Sequence, residues 1–384
     1  MSEEADPLYR PLSGLEPWAA APVDEGPWDD AVERLRKAGD EDRAWGAMVG
    51  RGALLAAAYR SGALDGMHHG DAALQLLGGE LTLGSIDPTT RDHVRANTEA
   101  LRLASAAEVS EHSIRRIHEV ACRPQLTHPV RVDDRVQDHV LAAGDYKHHP
   151  NHVRETSGRW HATAPVGQVE LEMTRLVETA AGSAFSDLHP VAQAAYLHHA
   201  LLHVRPFADG NGRVARALAS GCLLRAASIP LVQLAERSSS NPAEEVDLMQ
   251  RAGVALIDVL TEVPRESRAL DRWRLQEAAG DAVRRELVPA VGLALDRYRR
   301  RADRRADLAL TQLIPGSTVV IRVECPPVDE EITVEAHPEE GDGPVQLIAV
   351  EAGLRLEASP DTDLGPWLDR VVSILALRVA AELE

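Results

Sequence analysis

Phenylalanine and cysteine are nearly missing from this chain: 2 Phe and 3 Cys occur in 384 residues, and aromatics total only 3%. So few rings leave the core to Ala, Leu and Val, which favours helices packed through small side chains. Cys122, Cys222 and Cys325 lie far apart, with neither a disulfide pattern nor a metal spacing, so a reducing cytoplasm is the expected location. No apolar run approaches the ~18 residues that mark a spanning helix, and the acidic start Met-Ser-Glu-Glu-Ala-Asp carries no apolar leader. Positive charge is also short. With 41 Lys+Arg against 60 Asp+Glu the net charge is -19, which disfavours nucleic acid and anionic membranes as partners. Histidine pairs at 68–69, 148–149 and 198–199 lack a third ligand at metal spacing. The Arg run at 297–305 sits among Asp296, Asp303 and Asp307 and reads as a solvated helix face.

The remaining pattern is mostly helical. Residues 1–28 hold scattered Pro and Trp without periodicity and read as an extended arm; helical patterning starts near Asp29 and runs through the Ala-rich 44–66. Helices are predicted over 88–106, 110–122, 166–182, 188–203, 212–228 and 242–262, with a long polar loop and a hairpin within 125–165. Residues 268–308 read as Arg-rich helices. Short β-prone runs at 318–325, 331–336, 345–351 and 354–358 follow, and a helix over 366–383 closes the chain. The divisions expected are 1–44 (arm), 45–90 (helical region), 91–265 (core), 266–310 (connecting helices) and 311–384 (α+β accessory domain).

The chemistry concentrates in Pro206-Phe207-Ala208-Asp209-Gly210-Asn211-Gly212-Arg213-Val214-Ala215-Arg216. Gly210 and Gly212 permit positive φ, so backbone amides come close to a ligand. The apolar helix that follows offers its N-terminus to an anion. Arg213 and Arg216, three apart, share one helix face and present forks suited to phosphate. Asp209, before the turn, is placed to hold Mg²⁺ against phosphate oxygens.

This tract resembles the signature of the Fic (Fido) family, His-Pro-Phe-x-Asp/Glu-Gly-Asn-Gly-Arg-x-x-Arg. The likeness extends over about residues 45–265: Asp92–Leu101 is similar to the opening helix of that core and Val191–Val204 to the helix leading into its catalytic loop. Gly144–Lys147 through Arg154–Pro165 resembles the hairpin, or flap, that docks a protein target at about 152–163 by strand addition. The resemblance implies a mainly α fold: a Fic helical core with a β-hairpin flap, with the C-terminal β-meander and helix outside it. It also implies transfer of AMP from ATP, or use of another nucleotide, with Mg²⁺ at Asp209 and the nucleotide on Phe207, Gly210, Asn211, Gly212, Arg213 and Arg216.

One departure matters. The family's catalytic His aligns with Arg205, and a guanidinium accepts no proton near neutral pH. AMP transfer is therefore expected to be weak or lost, with nucleotide binding kept. The alternatives are a working nucleotidyl- or phosphoryl-transferase using His203 or substrate-assisted chemistry, and an interaction module without nucleotide. That module would use the flap edge or the C-terminal domain, the latter as a homo-oligomer or partner contact. Upstream, Ser61-Gly62-Ala63-Leu64-Asp65-Gly66 resembles the family's inhibitory motif Ser/Thr-x-x-x-Glu-Gly/Asn, with Asp for Glu. By that resemblance Asp65 pairs with Arg216, through a contact expected to be longer and weaker, Asp being one methylene short, unless the helix moves in by about 1–1.5 Å. The plain reading is a helix end, with Gly66 as its left-handed stop.

Overall fold

The computed structural model describes residues 9–68, 72–79, 81, 86–132, 135–151, 153–154, 160–230, 241–267 and 270, and as backbone 308–313, 319–325, 333–338, 345–350 and 353–358. It forms two compact units, Met1–Pro264 and Arg265–Glu384.

The first unit is helical. Its helices are α1 (Glu16–Ala19), α2 (Glu25–Glu41), α3 (Arg43–Leu64), α4 (Ala73–Leu77), α5 (Pro88–Ala106), α6 (Glu111–Cys122), α7 (Val169–Ala181), α8 (Ser183–Ser186), α9 (Pro190–Val204), α10 (Asn211–Ala227) and α11 (Pro242–Thr261). Their starts follow from local chemistry. Asp42 and Asp87 accept the backbone N–H of Trp45 and Thr90, both at 3.0 Å, and Pro stands in the first turn of α5, α9 and α11. Ser110 and Ser113 close a reciprocal cap on α6.

Helix α10 is the axis of the unit: every residue from Asn211 to Leu223 is buried, and α3, α5, α6 and α9 pack around it. Small side chains permit this. A Cβ at Gly221 would overlap the carbonyl oxygen of Ala104, so α5 and α10 cross almost backbone to backbone. The scarce aromatics close the periphery. Trp18 meets Tyr196 edge-on at 5.6 Å, Trp28 lies against His189 at 6.0 Å, and Trp45 donates its indole N–H to the Val263 carbonyl at 3.0 Å.

The N-terminal segment is thus not simply an extended arm. Buried Trp18 and Trp28 nucleate α1 and α2 there, because burying an indole outweighs the Pro-broken local pattern. Within 125–165 there are two antiparallel pairs, β1 (Thr127–Val132) with β2 (Arg135–Val140), and β3 (Val153–Arg154) with β4 (Trp160–His161). The second coincides with the expected flap.

The second unit contains a five-stranded antiparallel meander in sequential order: β5 (Leu308–Leu313), β6 (Val319–Cys325), β7 (Thr333–Pro338), β8 (Val345–Val350) and β9 (Gly353–Ala358). Strand β5 was not foreseen: the sequence reading continues the Arg-rich helix to 308 and sets a boundary at 310, inside the strand. Its partner is β6, and only long-range pairing distinguishes Leu-Ala-Leu-Thr-Gln-Leu from the end of a helix. The predicted connecting helices and the terminal helix over 366–383 lie outside the described residues. Among those described, no helix is long and apolar enough to cross a membrane.

The α5–α10 crossing yields a prediction. Gly221→Ala should lower stability by about 1–3 kcal/mol in chemical denaturation, the usual cost of forcing atoms into a tight contact. An unchanged midpoint would show that the helices separate freely.

Candidate functional site

Helix α9 ends at Arg205, which takes a left-handed conformation (φ 47, ψ 65) while its N–H bonds the Leu201 carbonyl at 2.8 Å. A non-glycine residue there costs about 1 kcal/mol or more, so the surroundings must impose it. They do. Pro206 bars helix continuation, and the Asn211 side chain grips Phe207 at both ends, accepting its N–H at 3.0 Å and donating to its carbonyl at 2.8 Å. Gly210 (φ 73) then turns the chain into α10, and a Cβ at that position would overlap Cys122 Sγ.

The loop is braced from α6. His118 stacks on Phe207 with centroids 3.8 Å apart and planes 4° from parallel. Its Nδ1 accepts the Gly144 N–H at 2.8 Å, which leaves the proton on Nε2 to be donated to the Asp209 carbonyl at 3.0 Å. Burial pushes its pKa down to about 4, so the ring stays neutral. The flap stem braces the other side: Lys147 N–H to Pro206 O at 2.8 Å, Asn151 Nδ2 to Phe207 O at 2.6 Å, and Ala164 N–H to Val204 O at 3.2 Å.

Both motif arginines are buried and face α3. Asp65 receives Arg216 Nη2 on Oδ1 at 2.5 Å and Arg213 Nε on Oδ2 at 2.6 Å. The Asp65–Arg216 contact, expected to be long, closes fully because Asp65 caps the end of α3 and that end sits against α10. Ser61 adds its hydroxyl to Arg216 Nε at 2.9 Å and its carbonyl to Nη2 at 2.8 Å. Gly66 takes φ 73 just beyond. Burial opposes the charge on Asp65, as does the carbonyl end of α3, but the two guanidiniums hold its carboxyl below the usual range. Arg216 Nη1 is buried with no hydrogen-bond partner. A Cβ at Gly212 would stand 2.9 Å from that atom and 3.1 Å from Asp65 Oδ1. The cavity beside the arginines is ≈ 10 Å³, room for no more than one water.

Asp209 is half-buried and accepts from its neighbour Gly210 N–H at 2.7 Å and from Gln125 Nε2 at 2.7 Å. The same Gln125 accepts from Arg213 Nη2. A carboxylate that already attracts positive ends and stands one side chain from Arg213 fits a hard cation held chiefly by phosphate oxygens. His203 is elsewhere: its Nε2 donates to the Arg10 carbonyl at 2.7 Å, and its ring faces Tyr9 and His199.

Gln125 and His118 sit in no repeat or motif, and Lys147 and Asn151 lie in the stretch that resembles the flap without a role of their own there; only the tertiary contacts mark these four. Lys147 is 2% exposed and donates to Asn151 Oδ1 at 2.6 Å and Thr163 Oγ1 at 3.1 Å. Burial, with the Arg205 cation beside it, pushes its pKa down to about 7.

Residues 108–223 match the Fic/DOC family. The protein adenylyltransferase Fic of Drosophila persimilis is 40% identical over 72 residues, 19% of this chain and 14% of that protein. Its counterpart in Drosophila erecta is 34% identical over 100 residues, 26% of this chain and 19% of the relative. The chain therefore spans only about a seventh to a fifth of the curated relatives it matches. A Fic-domain signalling protein from Bacteroides thetaiotaomicron aligns with TM-score 0.46 and 19% identity, over 63% of this chain and all of that one.

Lys147 generates a pH prediction. Between pH about 7 and 10.5 the folded state holds this amine neutral while the unfolded chain keeps it protonated. The unfolded state then binds more protons, so stability rises with pH across that window. Thermal unfolding at pH 7 and pH 9 should show a rise in wild type that Lys147→Met lacks; parallel profiles would place the amine in water.

With the motif loop, its His118 brace and both arginines all inside the matched segment, residues 108–223 of this chain are a Fic/DOC-family domain.

Proposed function

We propose that this protein binds a nucleotide, ATP with Mg²⁺ in the first instance, in the manner of the protein adenylyltransferases it resembles, and that AMP transfer is held back twice. One restraint is Arg205, which stands where that family carries its general base and can accept no proton. The other is Asp65, and it carries the reading: a buried carboxylate bridging Arg213 and Arg216 occupies the place of phosphate oxygens. Phosphate and carboxylate present the same acceptor geometry to a guanidinium fork, so one ligand exchanges for the other on the arginines of α10 without rebuilding that helix.

In this reading Arg213 and Arg216 hold the polyphosphate, Asp209 holds Mg²⁺, and Phe207, Gly210, Asn211 and Gly212 shape the turn. A protein target would add a strand at the flap around 152–163. A cytoplasmic location is consistent with Cys122 and Cys222, both buried and free. A transferase working through His203 gains no support from its geometry, since Nε2 is committed to the Arg10 carbonyl.

Transfer of labelled AMP tests the base. The double variant Arg205→His/Asp65→Gly should gain about 10²-fold or more over Asp65→Gly alone, the usual contribution of a positioned base. Arg205→Ala should gain nothing. Loss of a pre-existing activity on Arg205→His would make Arg205 part of a different transfer chemistry. Arg213→Ala in the Asp65→Gly background should weaken ATP binding by about 1.5–3 kcal/mol; equal affinity would remove the phosphate cradle.

A further inference from the structure

Gln125 lies in the short connection between α6 and β1, half exposed, with its backbone N–H anchored to the Cys122 carbonyl at 2.8 Å. The fixed main chain leaves the side chain lying across the motif, and its two ends meet opposite charges. Oε1 accepts from Arg213 Nη2, where a phosphate oxygen would sit on the guanidinium. Nε2 donates to Asp209 Oδ2 at 2.7 Å, where a cation would meet the carboxylate. A second bond from Nε2 reaches the Thr127 carbonyl at 3.1 Å, at the root of the β1–β2 hairpin. The amide orientation is forced: flipped, its NH₂ would face the guanidinium and its oxygen the carboxylate.

We propose that Gln125 is an internal stand-in for a magnesium–phosphate pair, bridging Arg213 and Asp209 until that ligand displaces it. The inference rests on the nucleotide reading above and adds a lock that acts apart from Asp65. Around Arg213 the division is clear: Asp65 takes Nε, the Ala121 carbonyl takes Nη1 at 3.0 Å, and Gln125 takes Nη2. The two locks also open differently. Asp65, 6% exposed at the end of α3, leaves only if that helix end moves. Gln125 leaves by rotating its side chain into solvent, without moving the backbone. Because one of its ends competes with the cation, its grip should be felt most when magnesium is present.

The test is calorimetry of ATP binding to full-length Asp65→Gly and Asp65→Gly/Gln125→Ala, each with Mg²⁺ and again in EDTA. The second substitution should tighten Mg·ATP binding about 5- to 10-fold, the scale of one net hydrogen bond released. In EDTA the gain should be much smaller. Gln125→Glu, which pairs with Arg213 more strongly, should weaken ATP binding instead. If Asp65→Gly binds ATP and Gln125→Ala leaves that affinity unchanged or lower, the stand-in is wrong while the nucleotide reading stands. If Asp65→Gly binds no ATP at all, the nucleotide reading falls and this proposal falls with it.

Discussion

Two arginines buried on one helix require an anion, and everything around the site is arranged to supply one. Arg213 and Arg216 are 1% and 4% exposed in their side chains, and Asp65 satisfies both with its two oxygens. Two such cations without a counter-ion would be strongly destabilising, since removing one partner of a buried pair costs ~3–5 kcal/mol. The end of α3 is therefore held against α10 by charge as much as by packing. Whatever displaces Asp65 must itself bring negative charge to the same two forks. Under the proposed function, folding and nucleotide binding would be linked through this one carboxylate.

The rest of the fold fixes the place of that carboxylate and of the two arginines. Small residues let α10 run through the centre of the unit, so its arginines emerge at a fixed angle beneath the turn. The turn itself is held on three sides, by Asn211 from within, by the His118 ring from α6 and by Asn151 and Lys147 from the flap stem. Arg205 is the element the braces force into an unfavourable backbone conformation. Because the stem of the flap bonds directly to residues 204, 206 and 207, a target docked on the flap would bear on the loop carrying Arg205. A groove of ≈ 390 Å³ between α2, α3 and the end of α10 lies away from this machinery.

Much of this was legible in the sequence, for identifiable reasons. Helices α5, α6, α7 and α11 carry a one-sided apolar stripe, Asp87, Ser110 and Asn241 cap the starts of α5, α6 and α11, and the Gly-Asn-Gly turn and the arginine pair are local in sequence. Ser61 and Asp65 were readable only through a family resemblance, and the structure brings Ser61 to Arg216 and Asp65 to Arg213 as well as Arg216. What stayed hidden depends on distant partners. Strand β5 needs β6, α1 and the first turn of α2 need the pockets that bury Trp18 and Trp28, and Gln125 needs Arg213 and Asp209 some 84 to 88 residues away. The burial of Lys147 depends on Thr163 and Asn151, which its amine reaches only in the folded chain.

Whether Asp65 occupies the position of a nucleotide phosphate is decided by isothermal calorimetry of ATP with Mg²⁺ against wild type and Asp65→Gly at one salt concentration. Removal of the carboxylate should tighten binding by about tenfold or more, the worth of a buried charge-assisted contact freed for the ligand. Equal affinity in the two proteins, with both folded, would show that Asp65 holds the helices together and has nothing to do with a ligand.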